Sequence, residues 1–152
     1  YCPDGGITGD AEYLPKKYPQ TTTEVDCIID WFGPTDLVAA SQYPSAIDHD
    51  SADSPSGVLI GGKALHDHPE DAYPANPVVH LRRNRKTPPI LIMHGGSDPL
   101  VPFNQSCILY EALKRMDKEV EFVKFKNAGH GWGGFMSETA LDIVEKFITV
   151  DR

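Results

Sequence analysis

The chain has 152 residues, of which 40% are hydrophobic and 24% charged, so it is long enough to bury the core of one domain. Its formal net charge of −8 argues against nucleic acid and anionic membrane surfaces as partners. No apolar run approaches the ~18 residues of a membrane-spanning helix, so we expect no membrane span.

The first predicted element after a polar lead-in is a strand. Residues 1–24 are polar and contain three prolines, which is typical of an irregular segment. The apolar stretch from Val25 to Phe32 predicts the first strand. A Gly-Pro pair ends it, and a short helix over 36–40 is expected next.

Residues 41–87 are rich in proline, serine, aspartate and histidine. Short helices are expected near 55–60 and 69–73, because each begins with a proline, which is favoured at the first helical position. A stretch of this length without strong periodicity is more typical of a functional excursion than of a packed layer.

The remaining elements alternate between strands and helices. Residues 89–94 form a near-continuous apolar run, which suits a parallel strand covered on both faces. A helix over 104–117, a third strand over 119–125 and a terminal helix over 137–150 follow from their periodicities. This order predicts one α/β domain with three mainly parallel strands and flanking helices.

Two loops after the second and third strands carry an acid and a base. The sequence His-Gly-Gly-Ser-Asp-Pro-Leu-Val-Pro occupies residues 94–102, and Asn-Ala-Gly-His-Gly-Trp occupies residues 127–132. Parallel strands end at the same rim of a sheet, so Asp98 and His130 should lie close together. A carboxylate on one imidazole nitrogen fixes the tautomer and leaves the other nitrogen free. We therefore predict Asp98 as the orienting acid and His130 as the catalytic base.

Both loops resemble motifs of the α/β-hydrolase family. In that family the acid follows the seventh strand in His-Gly-x-x-Asp-x-x-Val-Pro, and the base follows the eighth strand in Gly-His-Gly. Residues 94–102 and 129–131 match these motifs. Residues 30–36 resemble the sixth strand and its exit in small carboxylesterases, including those that deacylate xylan, and residues 75–77 resemble the segment before the seventh strand. The resemblance covers about residues 25–150 and implies the C-terminal half of an α/β-hydrolase fold.

The resemblance implies a serine hydrolase of small carboxylic esters, of the carboxylesterase or lipase kind, with no cofactor and no metal. Acetyl and feruloyl groups on plant polysaccharide are candidate acyl groups. No serine of the chain lies in Gly-x-Ser-x-Gly, and the chain has no His-Gly-Gly-Gly oxyanion loop. We therefore expect the nucleophile of the Ser-His-Asp triad to lie outside this chain, which should be inactive alone.

Two other functions stay open. A serine peptidase of the prolyl-oligopeptidase type has a catalytic domain with the same two motifs. A non-catalytic interaction domain derived from the fold is the other alternative. The coding sequence upstream of Tyr1 would distinguish them, because it would show whether a nucleophile elbow is present.

Further polar and aromatic residues have less specific readings. Trp132 and Phe135 are candidates to line the acyl pocket, with core packing as the alternative. His94 is expected to pack under the acid loop rather than to react. The histidine–aspartate runs at 48–50 and 66–68 lack a third ligand in register, so no metal site is predicted.

The first predicted strand also suggests an oligomer. In the complete family fold this strand is interior and pairs on its other side with the strand that leads to the nucleophile. If that partner is absent, the strand from Val25 to Phe32 presents an apolar edge. A two-fold pairing of this edge would give a homodimer with one continuous sheet.

Overall fold

The computed structural model describes residues 24–150, which are built around a three-stranded parallel sheet. The strands are β1 (Ile28–Trp31), β2 (Ile90–Gly95) and β3 (Val120–Phe125), arranged in the order β1-β2-β3. Three parallel strands with flanking helices confirm the predicted α/β fold class. The predicted lead-in lies outside the described residues except for Glu24.

The first strand is shorter at both ends than the sequence suggests. Ile28 pairs with Ile90, and the two residues before Ile90 are prolines, which have no N–H to extend the ladder. At the other end Phe32 adopts a left-handed conformation with φ 48°, which ends the extended backbone. The predicted strand from Val25 to Phe32 is therefore corrected to the four residues of β1.

Five α-helices surround the sheet, and all of them were expected within a few residues of their observed bounds. They are α1 (Leu37–Ser41), α2 (Pro55–Leu59), α3 (Pro69–Ala72), α4 (Asn104–Arg115) and α5 (Glu138–Thr149). Two short 3₁₀ helices, Tyr73–Ala75 and Pro77–His80, were not predicted. Side-chain caps set the starts of α1 and α5, where Asp36 and Ser137 accept from backbone N–H groups.

The central strand β2 is buried on both faces, as its apolar run predicts. Leu91 and Met93 pack on the side of α5, in a core that also contains the α5 residue Phe147. Ile90 and Ile92 pack on the other side, against Leu109 and Leu113 of α4. The described residues thus form a sheet between two helical layers, and the loops over 94–102 and 127–132 leave the sheet at its carboxyl edge.

The excursion over residues 41–87 shares a small core with α1. Leu37, Ile60, Leu65 and Ala72 are buried together, with Val38 packed beside them. A cluster of this size is not a layer of the domain, so the interpretation of this stretch as an excursion stays a prediction. Its apolar residues are too few and too irregularly spaced to show a periodicity, but they converge on one point in space.

None of the helices in residues 24–150 is long and apolar enough to cross a lipid bilayer.

Candidate active site

Asp98 is held in the acid loop after β2 by its own backbone. Its Oδ1 atom accepts hydrogen bonds from the N–H of Leu100 (2.8 Å) and of Val101 (3.0 Å). The side chain has no exposed surface. A buried carboxylate that accepts several N–H bonds is held in one orientation. Oδ2 is thereby left to face the base loop.

His130 lies in the base loop after β3 and meets Asp98. Its Nδ1 atom is 2.9 Å from Oδ2 of Asp98, and the imidazole is 27% exposed. Because the carboxylate can only accept, the proton between them belongs to Nδ1. Nε2 of His130 is then the unprotonated nitrogen, as a general base requires. The structure thus brings the two predicted site residues together.

The two loops are held together through their backbones. Ser97 N donates to Ala128 O (3.0 Å), and Gly96 N donates to Phe125 O (2.8 Å). A Cβ atom on Gly95 would lie 2.4 Å from the carbonyl oxygens of Ala128 and Gly129. Only glycine permits so close an approach. The distance between Asp98 and His130 depends on these backbone contacts.

Phe32 supports the histidine ring from β1. Its ring centroid lies 4.1 Å from that of His130, with the planes tilted by 50°. The Phe32 ring also contacts Phe135 edge-on at 5.0 Å. Sequence reasoning did not single out Phe32, because the contact depends on the unusual backbone conformation at the end of β1.

Trp132 and Phe135 occupy different environments. The Trp132 side chain is exposed, with the residue at 72% of its maximal surface, two positions after the base. Phe135 is fully buried among Trp31, Phe32 and Phe125. Phe135 therefore takes the core position that was the alternative to pocket lining, and it reaches the site only through Phe32.

His94 packs under the acid loop, as predicted, but it is more fully engaged than the sequence indicates. It is completely buried, and its Nδ1 lies 2.6 Å from Oγ of Ser106. Its Nε2 lies 3.0 Å from Val101 O and 3.3 Å from Oδ2 of Asp98. Burial lowers the pKa of the His94 imidazole, which favours its neutral form.

Residues 45–49, at the start of the excursion, form hydrogen bonds to backbone carbonyls of the acid loop, residues 94–102. Ala46 N donates to Pro99 O (2.7 Å), and Ser45 Oγ donates to Leu100 O (2.8 Å). His49, which is 7% exposed, also bonds Leu100 O through Nε2 (2.7 Å). The sequence offered no periodic signal for these contacts, which link residues more than 50 positions apart.

Helix α4 ties the acid loop to the exit of β1. Gln105 is fully buried, and its Oε1 accepts from the N–H groups of Thr35 (2.9 Å) and Asp36 (2.8 Å). Asp36 in turn accepts from the amide of Asn76 (3.2 Å). These bonds fix the loop after β1, which carries Phe32 at its start.

The histidine–aspartate runs of the excursion form surface ion pairs. His66 Nδ1 bonds Asp50 Oδ2 at 2.5 Å, and this contact raises the pKa of His66. His68, Glu70 and Asp71 converge, but the Lys63 ammonium lies 2.5 Å from Asp71 Oδ2. Lys63 thus supplies a positive charge to the Asp71 carboxylate. The absence of a metal site remains a prediction.

Comparisons with known proteins identify the family of the chain. The BD-FAE family model matches residues 6–113, a span that includes Asp98 and ends before His130. The chain belongs to the BD-FAE family. It is also 26% identical to esterase LipC of Mycobacterium tuberculosis over 129 residues, which are 84% of the chain and 30% of LipC.

A solved structure and a short local match extend the comparison. The truncated form of a carbohydrate esterase from gut microbiota aligns with 86% of the chain at a TM-score of 0.73 and 31% identity, over 44% of its own length. The uncharacterized peptidase YuxL of Bacillus subtilis is 48% identical over 42 residues, which are 28% of this chain and 6% of YuxL. This BD-FAE member thus has the fold of the C-terminal half of an α/β-hydrolase and spans less than half the length of its esterase relatives.

Proposed function

We propose that this chain supplies the acid and the base of a Ser-His-Asp triad that hydrolyses carboxylic esters. The observation that carries the proposal is the 2.9 Å contact between His130 Nδ1 and Asp98 Oδ2. Esterase relatives and membership of the BD-FAE family support an ester as the substrate.

The proposed mechanism is acyl transfer in two steps. A serine hydroxyl attacks the ester carbonyl while Nε2 of His130 accepts its proton. The imidazolium then protonates the leaving alcohol, and the acyl group stays on the serine. Water, deprotonated by the same nitrogen, releases the acid. Asp98 stays ionised and stabilises the imidazolium.

The serine is proposed to come from outside these 152 residues. No serine of the chain lies in Gly-x-Ser-x-Gly. In the part of the chain from Glu24 to Val150, no serine hydroxyl is hydrogen-bonded to Nε2 of His130 either. That nitrogen belongs to a partly exposed ring, so a nucleophile can approach it from solvent.

The substrate is proposed to be an acyl group on a carbohydrate. Trp132 lies two residues from the base and presents an exposed indole, and aromatic faces are apolar surfaces on which rings pack. The carbohydrate esterase similarity supports the same class. A small acyl ester such as acetate fits a base that is partly exposed rather than enclosed.

The test is a comparison of two proteins. The product of the complete reading frame that contains this chain should hydrolyse p-nitrophenyl acetate and be labelled by a fluorophosphonate. The 152-residue chain alone should do neither above the rate of free imidazole, because it lacks the nucleophile and the oxyanion loop. In the longer protein His130→Ala should abolish turnover, whereas His66→Ala, an exposed histidine of the excursion, should leave it intact. Stoichiometric labelling of the short chain would contradict the proposal.

A peptidase is the second candidate, and the local identity to YuxL favours it. The same acid and base would then serve amide hydrolysis. Assays of the longer protein on matched ester and anilide substrates distinguish the two, because only a peptidase should cleave the anilide at an enzymatic rate.

A further inference from the structure

The buried imidazole of His94 has both ring nitrogens in hydrogen bonds. Its Nε2 atom faces two acceptors, the carbonyl oxygen of Val101 at 3.0 Å and Oδ2 of Asp98 at 3.3 Å. Neither group can donate a proton, so Nε2 must carry the hydrogen. The hydrogen bond goes to Val101 O, and Oδ2 of Asp98 lies beside the same N–H in a longer, electrostatic contact.

The other nitrogen is bonded to a hydroxyl of helix α4. Nδ1 of His94 lies 2.6 Å from Oγ of Ser106, and both residues are fully buried. With the proton on Nε2, Nδ1 is an acceptor and the Ser106 hydroxyl donates to it. Burial lowers the pKa of His94, which keeps the ring neutral and this tautomer populated.

We propose that His94 is a positioning residue, which directs a fixed Nε2–H at the Val101 carbonyl and at the Asp98 carboxylate of the acid loop, with Ser106 satisfying the other ring nitrogen. The inference rests on the proposed function, in which Asp98 orients His130. His94 touches no reacting atom, and it acts only through Asp98.

The Asp98 carboxylate then accepts three hydrogen bonds and lies beside a fourth N–H group, that of His94. Oδ1 receives the two backbone amides of the acid loop, and Oδ2 lies between His130 on the solvent side and His94 on the core side. Rotation of the carboxylate would break bonds on both oxygens. Sharing its charge with His94 also limits how strongly Asp98 raises the basicity of His130.

If His94 only filled space, the expected properties of the protein would be different. The ring also meets Phe103 edge-on at 5.4 Å, so it fills space beneath the loop. A space-filling ring has no need of one tautomer, and its loss would lower stability without changing the proton affinity of His130. The two roles therefore differ in a measurable quantity.

The first test is the protonation state of each histidine in the full 152-residue chain. Nitrogen-15 labelled histidine, followed by proton–nitrogen correlation spectra across a pH titration, reports which ring nitrogen is protonated. We expect His94 to stay neutral with hydrogen on Nε2 while His130 titrates with hydrogen on Nδ1. Hydrogen on Nδ1 of His94, or a charged His94 at neutral pH, overturns the inference. If instead His130 Nδ1 has no bond to Asp98, the proposed function itself fails.

Two substitutions separate positioning from packing. The side-chain amide of glutamine can place its nitrogen near the position of Nε2, whereas that of asparagine lies near Nδ1. We expect His94→Gln to leave the pKa of His130 unchanged and His94→Asn to raise it by about half a unit or more, because Asp98 loses a donor. Equal values in both variants would show that His94 only fills space. If either variant does not fold, the tautomer measurement on the unaltered chain still decides.

Discussion

The ring centroid of Phe32 lies 4.1 Å from that of His130, and the backbone of Phe32 is left-handed, with φ 48°. Left-handed backbone is costly for a residue with a side chain, so the contact is kept against local strain. Phe32→Gly and Phe32→Ala both remove the ring, but only alanine retains the strain. We expect the glycine variant to be more stable by about 1 kcal/mol, measured by urea unfolding.

Both Phe32 variants should loosen His130. The imidazole loses its aromatic neighbour in each, so its carbon-bound proton resonances should broaden or shift equally. An alanine variant more stable than the glycine variant would show that the φ at this position relaxes without cost, since elsewhere in a strand glycine is the less stable residue.

Gly95→Ala should separate the acid from the base. The added Cβ would lie 2.4 Å from two carbonyl oxygens of the base loop, so the loop has to move. We expect a loss of about 1–3 kcal/mol in unfolding free energy, the usual cost of overpacking, together with loss of the His130–Asp98 hydrogen bond in nitrogen-15 spectra. Gly61→Ala is the control, because a Cβ there meets nothing within 4 Å and only strains the backbone. It should lose stability without disturbing His130.

Asp98→Asn should impair catalysis in the longer protein with little change in KM. The amide nitrogen can donate where only an acceptor fits, which favours the wrong tautomer of His130. We expect kcat to fall by roughly 10³–10⁴, and the double variant with His130→Ala to be no worse than His130→Ala alone, because the two residues act as a unit. Near-normal kcat in Asp98→Asn would refute the assignment of the acid.

The alternation of apolar runs was enough to predict the layered sheet, because β2 is buried on both faces and α4 and α5 each bury one stripe. The same pattern placed Asp98 and His130 at strand ends, where topology brings them together. It could not show where β1 begins and ends. The start depends on the two prolines that precede β2, and the end depends on the backbone conformation of Phe32.

Contacts that join distant parts of the chain were also invisible in the sequence. Gln105 meets the loop at Thr35 across 70 residues, and His49 meets Leu100 across 51. His94 and Ser106 are only 12 residues apart, but their bond depends on how α4 packs against the end of β2. Such pairs follow from tertiary packing, for which local periodicity carries no information.

Asp30 should make the unfolding free energy depend on pH. Burial raises the pKa of its carboxyl, although a hydrogen bond from Gly33 N opposes the shift. A group whose folded pKa is raised binds its proton more tightly in the fold. Stability from this residue is therefore fully present below its ordinary pKa and is lost as pH rises through the folded value.

Asp30→Asn keeps an acceptor for Gly33 and removes the charge. We expect it to raise the urea midpoint at neutral pH and to change it little at mildly acid pH, where the aspartate is already protonated. Asp142→Asn, on the exposed face of α5, should alter neither value. A lower midpoint for Asp30→Asn at neutral pH would mean that the ionised carboxylate is stabilised by a partner in solution.

Within residues 24–150, β1 lies at the edge of the sheet, and we expect this edge to pair with another chain. Ile28 N and Phe32 N donate to Pro89 O and Met93 O, both at 2.9 Å, so alternate residues face β2. Ile29 and Trp31 therefore direct their backbone N–H and C=O groups away from the described sheet. An edge of this kind is a template for strand pairing. We expect sedimentation equilibrium of the 152-residue chain to show a dimer that depends on concentration.

Ile29→Pro tests whether this edge pairs with another chain, because it removes one backbone N–H group. Ile29→Pro removes an outward N–H without breaking a bond to β2, which is where an edge strand tolerates proline. Ile29→Ala is the matched control, because it also loses the isoleucine side chain but keeps the N–H. We expect the alanine variant to dimerise and the proline variant to sediment as one chain. Equal dimerisation of the two would place the interface elsewhere, and a wild-type chain that stays monomeric at every concentration would show that this edge is already covered.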